Sequence, residues 1–226
     1  MTTLRLALFD CDGTLADSQH EIATAMSAAF AAHGLEAPPP HFVRSIIGLS
    51  VPRAIRTLAP NLDEATQDRL GEAYRDAYFA ARTAAGAQPE PLYDGIAGLI
   101  DQLATEGWLL GVATGKSQRG LVRLLTAHNL LDRFISLQTA DFHPSKPDPT
   151  MVHAALAETG CAATATVVIG DTTYDMAMAR AAGTRALGVA WGYHEPRDLR
   201  AHGADAIAEQ PDDIPALLAT LVKATA

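Results

Sequence analysis

The segment LRLALFDCDGTLADS, residues 4–18, decides how this chain folds. Its first part, Leu4–Phe9, is an apolar run with the length of a buried β-strand, and it ends at the polar turn Asp10–Thr14. Ser18 lies three residues before Glu21, which is the spacing of a capping box and predicts that a helix begins there. A buried strand that leads through a polar turn into a helix is the unit from which α/β sheets are built.

The same alternation of strand and helix returns after residue 88. The sequence predicts four more strands, at Leu109–Ala113, Phe134–Leu137, Thr166–Ile169 and Ala186–Ala190. Helical periodicity precedes and separates them, through Leu99–Leu103, Leu121–Leu125, Pro149–Glu158 and Met176–Ala182. This pattern predicts a Rossmann-like α/β core, in which a parallel sheet is covered by helices on both faces.

Between the first two predicted strands the pattern is helical only. One helical face extends from Ser18 to Gly34, three prolines follow at 38–40, and helical spacing resumes from His41 to about Ala87. The sequence therefore predicts a small all-helical cap domain, residues 17–87, inserted after the first strand. The core domain would then consist of residues 1–16 and 88–226.

Composition limits the class of partner. The 226 residues include 17 Lys and Arg against 26 Asp and Glu, for a formal net charge of −9. Such a chain offers no broad basic surface for nucleic acid or anionic lipid. Two cysteines, and no apolar run of membrane-spanning length, favour a reducing, cytoplasmic location without membrane association. We expect a small-molecule partner, and the sequence leaves the oligomeric state open.

Side chains able to do chemistry follow the predicted strands directly. In open α/β sheets, ligands bind beyond the carboxyl ends of the strands, so these residues are expected to meet at one edge. They are Asp10, Asp12, Thr114, Gly115, Lys146, Asp171 and Asp175. Phosphoryl transfer from an anionic ester needs such a set, because it requires a nucleophile, cations for the phosphate oxygens and an acid for the leaving group.

The residue types favour a division of roles within this set. Asp10 and Asp171 offer the carboxylates that Mg²⁺ prefers, and Asp12 is placed to give and take a proton. Thr114–Gly115 lies where a strand meets the N-terminus of a helix, which is a favourable place for phosphate. Lys146 adds positive charge to the same edge.

Four segments in this order resemble the four motifs of the haloacid dehalogenase superfamily: Asp10–Ser18, Ala113–Lys116, Ser145–Pro149 and Gly170–Met176. The helical insert is similar to the small cap of subfamily I. Val189–His194 resembles the equivalent segment of phosphoglycolate phosphatase-like members. The resemblance extends over essentially the whole chain.

This resemblance implies roles for the four aspartates as metal-site residues. Asp10 would become phosphorylated, and Asp12 would act as acid and base while its backbone carbonyl binds Mg²⁺. Asp171 would bind the metal directly. Asp175 would bind through a water molecule or orient the other ligands.

The resemblance also implies how the substrate is bound. Thr114, Gly115 and Lys146 would hold the phosphoryl group. In this superfamily a cap loop contacts the leaving group, and Ile47–Ser50 resembles that loop, so Gly48, Leu49 and Ser50 are candidate substrate-binding residues.

Several reactions occur in the superfamily, and the residues separate some of them. A halide leaves without a proton, so Asp12 argues against a dehalogenase. A phosphonatase needs a cap lysine to form a Schiff base, and residues 17–90 contain none. A sugar phosphomutase stays open, although Thr14 fits the phosphatase form of the motif better. A non-catalytic regulator that responds to phosphate or metal also stays open, with the acid Asp12 counting against it.

Some of these residues also have ordinary structural interpretations. Thr114 and Ser117 are suited to capping the following helix, and Asp175 to the first turn of its own helix. The role of Lys116 is left open, and Trp191 and His194 are left outside the site as structural residues. We expect a Mg²⁺-dependent phosphatase acting on a small phosphomonoester, with 2-phosphoglycolate as the leading substrate, through an aspartyl-phosphate.

Overall fold

A six-stranded parallel sheet forms the centre of the computed structural model, which describes residues 4–84 and 86–223. Its strands are β1 Leu6–Phe9, β2 Leu109–Thr114, β3 Ser136–Thr139, β4 Thr166–Gly170, β5 Arg185–Val189 and β6 Ala206–Ala208. They lie in the order β3-β2-β1-β4-β5-β6, and every neighbouring pair is parallel. The predicted Rossmann-like α/β class is confirmed.

Ten α-helices accompany the sheet in the described part of the chain. They are α1 Gln19–Ala32, α2 Pro40–Ser45, α3 Val51–Leu58, α4 Glu64–Thr83, α5 Ile96–Thr105, α6 Gln118–Ala127, α7 Thr150–Thr159, α8 Thr173–Ala181, α9 Pro196–Ala201 and α10 Ile214–Lys223. No helix among the described residues has both the length and the apolar character that crossing a membrane requires.

The central strand β1 shows why both faces of the sheet are covered. Successive side chains of a strand point to opposite faces, and all four of its residues are fully buried. Ala7 and Phe9 join the hydrophobic cluster of α5, α6 and α10. Leu6 and Leu8 join the cluster of α7, α8 and α9 on the other face.

The register of the sheet places the carboxyl ends of β1, β2 and β4 next to one another at the same edge. Phe9 pairs with Val112 of β2 and with Ile169 of β4, so the turns that follow β1, β2 and β4 leave the sheet side by side. The backbone N–H of Asp10 still donates to the carbonyl of Ile169, at 2.8 Å, which holds the first turn against the fourth strand.

The helices α1 to α4 all lie between β1 and β2 and surround a hydrophobic cluster of their own. Ile55 and Leu70 are fully buried in this cluster, which Tyr193 of the core also joins. The division into domains at residues 17 and 87 stays a prediction. Ala85, inside the predicted insert, lies outside the described residues.

The predicted capping box at the start of α1 does not form. Ser18 is the N-cap, but its side chain accepts no capping hydrogen bond, because its backbone (φ −108°, ψ 7°) is not extended as in most N-caps. Its N–H donates instead to the Tyr193 hydroxyl at 3.1 Å. The Glu21 side chain pairs with Arg82 on α4 at 3.2 Å.

Two features of the sheet differ from the sequence expectation. Strand β3 begins at Ser136, two residues later than predicted, because Phe134 is the C-cap of a short 3₁₀ helix at Leu131–Arg133. It is an edge strand, and its polar Ser136 and Gln138 both hydrogen-bond Glu158 of α7. Strand β6 was not predicted, and with three residues it is too short to show a periodic pattern.

Candidate active site

Asp10, Lys146 and Asp175 form a buried ion-pair triad at the carboxyl edge of the sheet. The Lys146 Nζ lies 2.8 Å from Asp10 Oδ1 and 2.7 Å from Asp175 Oδ1. All three side chains are at most 1% exposed. Asp10 Oδ1 also accepts the N–H of Cys11 at 2.6 Å, whereas the buried Asp10 Oδ2 has no hydrogen-bond partner among the described residues. One carboxylate oxygen is thus fixed and the other is left free.

Asp171 is held by the first turn and by the segment after β5. Its Oδ1 accepts the Thr14 hydroxyl at 2.9 Å, and its Oδ2 accepts the Tyr193 N–H at 2.9 Å. Gly13 and Gly192 press against this carboxylate, since a Cβ on either would overlap the Asp171 side chain. Gly13 also has φ +89°, a left-handed conformation that favours glycine.

Three carboxylates, those of Asp10, Asp171 and Asp175, bring oxygen atoms within 4.8 Å of one another. Burial raises the pKa of Asp10 to about 7, although the Lys146 ammonium lowers it, and burial raises the pKa of Asp171 well above its ordinary value. Burial alone would lower the pKa of Lys146, but the nearby carboxylates of Asp10 and Asp175 outweigh this effect, so the pKa is raised. The cluster therefore has more carboxylates than cations, and its all-oxygen ligands and the free Asp10 Oδ2 suit a hard divalent cation.

The Asp12 carboxylate points away from this cluster, toward Lys116. Its Oδ1 lies 3.0 Å from the Lys116 Nζ, and both residues are buried. Lys116 also donates to the Tyr78 hydroxyl at 2.9 Å and lies 3.4 Å from Glu90 Oε1. Tyr78 donates to the same glutamate at 2.5 Å. Asp12 is therefore linked through Lys116 to Tyr78 on helix α4 and to Glu90 in the segment that follows this helix.

The loop at residues 47–50 lies directly on the turn after β2. A Cβ on Gly115 would lie 2.6 Å from the carbonyl oxygens of Gly48 and Leu49, so only glycine permits this contact. A Cβ on Gly48 would lie 3.8 Å from Asp10 Oδ2. The Ser50 N–H donates to the Ser145 hydroxyl at 2.9 Å. The loop therefore packs on the turn after β2, and the open side of Gly48 faces Asp10, the nucleophile candidate.

Ser117 and Asp175 take the structural roles expected of them at the starts of α6 and α8, whereas Thr114 lies before the N-cap of α6 and does not cap that helix. Ser117 caps α6 by accepting the Gly120 N–H at 3.2 Å, while the buried Thr114 hydroxyl accepts the Lys116 N–H at 3.2 Å. Asp175 forms a capping box with Thr172 at the start of α8. Its Oδ2 accepts two bonds from Thr172, which leaves Oδ1 for Lys146.

A cavity of about 550 Å³ opens between the insert and the turn after β2. Asp12, Gly48 and Lys116 line it close to the carboxylate cluster. Apolar side chains of α1 and of the loop, together with Tyr74, Tyr78 and Phe79 of α4, form much of its wall. Residues of α6 close the opposite side.

The sequence indicates the residues that follow the strands, but it does not indicate several residues that support them. Tyr78 and Glu90 hold Lys116, and no local pattern marks them. The spacing of Thr172 and Asp175 is a capping-box signal that would have identified Thr172. Trp191 was left outside the site as a structural residue and Tyr193 was not singled out, yet Trp191 Nε1 donates to the Thr14 carbonyl at 3.1 Å and the Tyr193 N–H donates to Asp171.

This fold and site define an α/β protein with a buried carboxylate cluster at the carboxyl edge of its sheet. The chain belongs to the haloacid dehalogenase-like hydrolase family, which matches residues 7–189. The family that the sequence motifs resemble is thereby confirmed.

Curated relatives cover most of the chain and are phosphatases by name. The chain is 33% identical over 200 residues to "Probable phosphatase IndB" of Dickeya dadantii, covering 87% of this chain and 85% of that protein. It is 31% identical over 214 residues to N-acetylmuramic acid 6-phosphate phosphatase of Pseudomonas aeruginosa, covering 93% of both. It is 31% identical over 220 residues to phosphoglycolate phosphatase of Cereibacter sphaeroides, covering 95% of this chain and 98% of that protein.

A solved structure of the same family has the same fold as this chain. The haloacid dehalogenase-like family hydrolase SP0104 of Streptococcus pneumoniae superposes with a TM-score of 0.82 at 26% identity, covering 96% of this chain and 99% of that chain. The family and the named phosphatases place the chain among the phosphoric monoester hydrolases, as the sequence predicts.

Proposed function

We propose that this protein is a Mg²⁺-dependent phosphatase that hydrolyses a small phosphomonoester through an aspartyl-phosphate on Asp10, with 2-phosphoglycolate as the leading substrate. The observation that carries the proposal is the state of Asp10. Its buried carboxylate is fixed at Oδ1 by Lys146 and the Cys11 N–H, and its Oδ2 is left without a partner. A nucleophile needs this combination of fixed orientation and a free attacking atom.

In the first step, Asp10 Oδ2 attacks the phosphorus and the ester P–O bond breaks. Lys146, the Thr114 hydroxyl and the backbone at Gly115 bind the phosphoryl oxygens, whose charge needs neutralising in a site that already holds carboxylates. Asp12 gives its proton to the departing alkoxide, so the alcohol leaves neutral. The product is a phosphoryl group bonded to Asp10.

In the second step, water attacks the phosphorus of the aspartyl-phosphate. Asp12, now ionised, takes a proton from that water, and the bond between phosphorus and Asp10 Oδ2 breaks. Inorganic phosphate leaves and Asp12 carries a proton again, as the next cycle requires. Asp12 lines the cavity, so the leaving group and the attacking water share the space beside it.

Asp10 and Asp171 are the proposed Mg²⁺ ligands, together with the backbone carbonyl of Asp12, and Asp175 orients the site through Lys146. Mg²⁺ bound there supplies positive charge for the phosphoryl oxygens and for the buried carboxylates. The fit rests on the three carboxylates within 4.8 Å and on the unpartnered oxygen of Asp10.

The proposed reaction is tested by phosphate release from a panel that includes 2-phosphoglycolate and sugar phosphates. With Mg²⁺ we expect kcat of about 1 s⁻¹ or more on the best ester, as for an ordinary enzyme, and none after chelation. Absence of phosphate release across the panel would contradict a phosphatase. Interconversion of sugar phosphate isomers without phosphate release would identify a mutase instead.

Mg²⁺ is also expected to raise the melting temperature, because it relieves the repulsion among Asp10, Asp171 and Asp175. At 100 times its Kd, a ligand of the folded state adds about 2.7 kcal/mol to the free energy of unfolding. For a chain of this length that is about 5–10 °C in Tm. Differential scanning calorimetry of the chelated protein with and without Mg²⁺ measures this shift.

Two variants make this measurement specific. Asp171→Asn removes one proposed ligand and should lose most of the Mg²⁺-dependent shift, whereas Asp132→Asn, an exposed carboxylate outside the cluster, should keep it. An identical Tm for the wild-type protein with and without Mg²⁺ would rule out the carboxylate cluster as a Mg²⁺ site.

A further inference from the structure

The position of Asp12 defines where the leaving alcohol must lie. A group that protonates the departing oxygen has to be within hydrogen-bond reach of it. Asp12 lies in the wall of the 550 Å³ cavity, together with the loop residues Gly48, Leu49 and Ser50. The remainder of the substrate therefore extends into this cavity. The charged and polar groups of the cavity wall should then complement those of the alcohol.

Three arginines in that wall have no carboxylate partner among the described residues. They are Arg75 on α4 and Arg119 and Arg123 on α6. Arg75 and Arg119 are exposed to solvent and Arg123 is half-buried. They bring positive charge to one cavity of a chain whose formal net charge is −9.

The acids of the same wall do not neutralise these arginines. Asp12 is paired with Lys116 at 3.0 Å, and Asp141 Oδ2 accepts the Gln118 N–H at 2.8 Å. Asp76 is the third acid in the wall, and it is exposed to solvent. With Lys116 included, the wall holds four cationic and three anionic side chains, the reverse of the balance in the whole chain.

Arg119 is held in place before any ligand binds. Its guanidinium carbon lies 3.6 Å from the centre of the Phe79 ring, a cation–π contact that joins α6 to α4 across the cavity. This contact restrains the guanidinium of Arg119, which is otherwise exposed to solvent. A planar fork of donors matches the two oxygens of a carboxylate better than it matches a neutral hydroxyl group.

We propose that the alcohol released by this enzyme carries a carboxylate, and that Arg119, supported by Arg123 and Arg75, binds that carboxylate. This inference rests on the proposed phosphatase function and specifies its substrate class. The three arginines are specificity-determining residues, placed in the part of the cavity lined by α4 and α6 and distinct from the Lys146 site for the phosphoryl group. The 550 Å³ volume admits alcohols from glycolate to a carboxylated sugar.

Two matched substrate pairs test the proposal. The first compares 2-phosphoglycolate with 2-hydroxyethyl phosphate, and the second compares N-acetylmuramic acid 6-phosphate with N-acetylglucosamine 6-phosphate. The members of the first pair differ by a carboxylate in place of a hydroxymethyl group, and those of the second by a lactyl ether that carries the carboxylate. For the wild-type protein we expect the carboxylated ester of at least one pair to have a higher kcat/KM by about 10- to 100-fold, the size of one charged hydrogen bond.

Variants then assign the preference to Arg119. We expect Arg119→Gln to reduce the ratio of kcat/KM values within the preferred pair by about tenfold or more, mainly through KM, and Arg119→Lys to reduce it less, since the charge stays and the fork is lost. Arg133→Gln is the matched control, because Arg133 is an exposed arginine that pairs with Asp101 at 2.8 Å and does not line the cavity.

The outcomes separate this inference from the proposed function. Turnover of both members of each pair with equal kcat/KM would overturn the carboxylate inference while the phosphatase stands. A ratio that Arg119→Gln leaves unchanged would overturn the assignment to Arg119. No turnover of any ester would instead contradict the proposed function itself.

Discussion

Asp10→Asn is expected to abolish turnover, with kcat reduced by at least about 10⁴-fold, which corresponds to about 5.5 kcal/mol in the activation barrier. The amide has the shape of the carboxylate but cannot attack phosphorus or leave from it. The loss should be the same for every ester, because no substrate can bypass the nucleophile. Steady-state phosphate release with the preferred ester measures the effect.

The variant should still fold, so the loss can be assigned to chemistry. Burial raises the pKa of Asp10, which means that its charge is costly in this position, and Asn removes that charge. Lys146 keeps Asp175 as a partner at 2.7 Å. We expect a Tm close to that of the wild-type protein. Residual activity within about tenfold of wild type would exclude Asp10 as the nucleophile.

Asp12→Ala is expected to slow phosphoryl transfer from alkyl phosphates much more than from aryl phosphates. For an alkyl phosphate, whose alkoxide must be protonated as it leaves, phosphoryl transfer should slow by about 10²- to 10⁴-fold. For an aryl phosphate such as p-nitrophenyl phosphate the leaving group needs little protonation, and the loss in the same step should be less than about tenfold. Single-turnover release of the alcohol or phenol compares the two directly.

The second role of Asp12 gives this variant a further signature. Without a base for the attacking water, the aspartyl-phosphate should persist, so p-nitrophenol should appear as a burst followed by slow turnover. Asp12→Asn serves as the isosteric variant and should behave in the same way. Equal losses on alkyl and aryl esters would show that Asp12 is not the acid.

The strand ends and the residues that follow them were predictable because both depend on local sequence. A buried strand such as β1 ends where its apolar run meets Asp10, and parallel strands in one register place their following turns together. Asp10, Lys146, Asp171 and Asp175 were therefore expected at one edge. Their contacts within 4.8 Å or less agree with that expectation, while their catalytic roles stay predictions.

The surroundings of Asp12 were not predictable, because they depend on how α4 packs against the turn after β2. Tyr78 and Glu90 are 38 and 26 residues away from Lys116, and neither has a pattern that marks it as part of the site. The same packing places Phe79 beneath Arg119. The failed capping box at Ser18 has a similar origin, since a distant hydroxyl, that of Tyr193, takes the N–H that the local motif would use.

The most direct test of the nucleophilic role of Asp10 is the stereochemical course at phosphorus. It is measured with a preferred ester made chiral as an oxygen-labelled phosphorothioate and hydrolysed in water of a third oxygen isotope, so that the released thiophosphate is chiral. Two in-line displacements, first by Asp10 and then by water, each invert the configuration. We expect the thiophosphate to be released with overall retention. Inversion would show that water attacks the ester directly, and it would contradict an aspartyl-phosphate on Asp10.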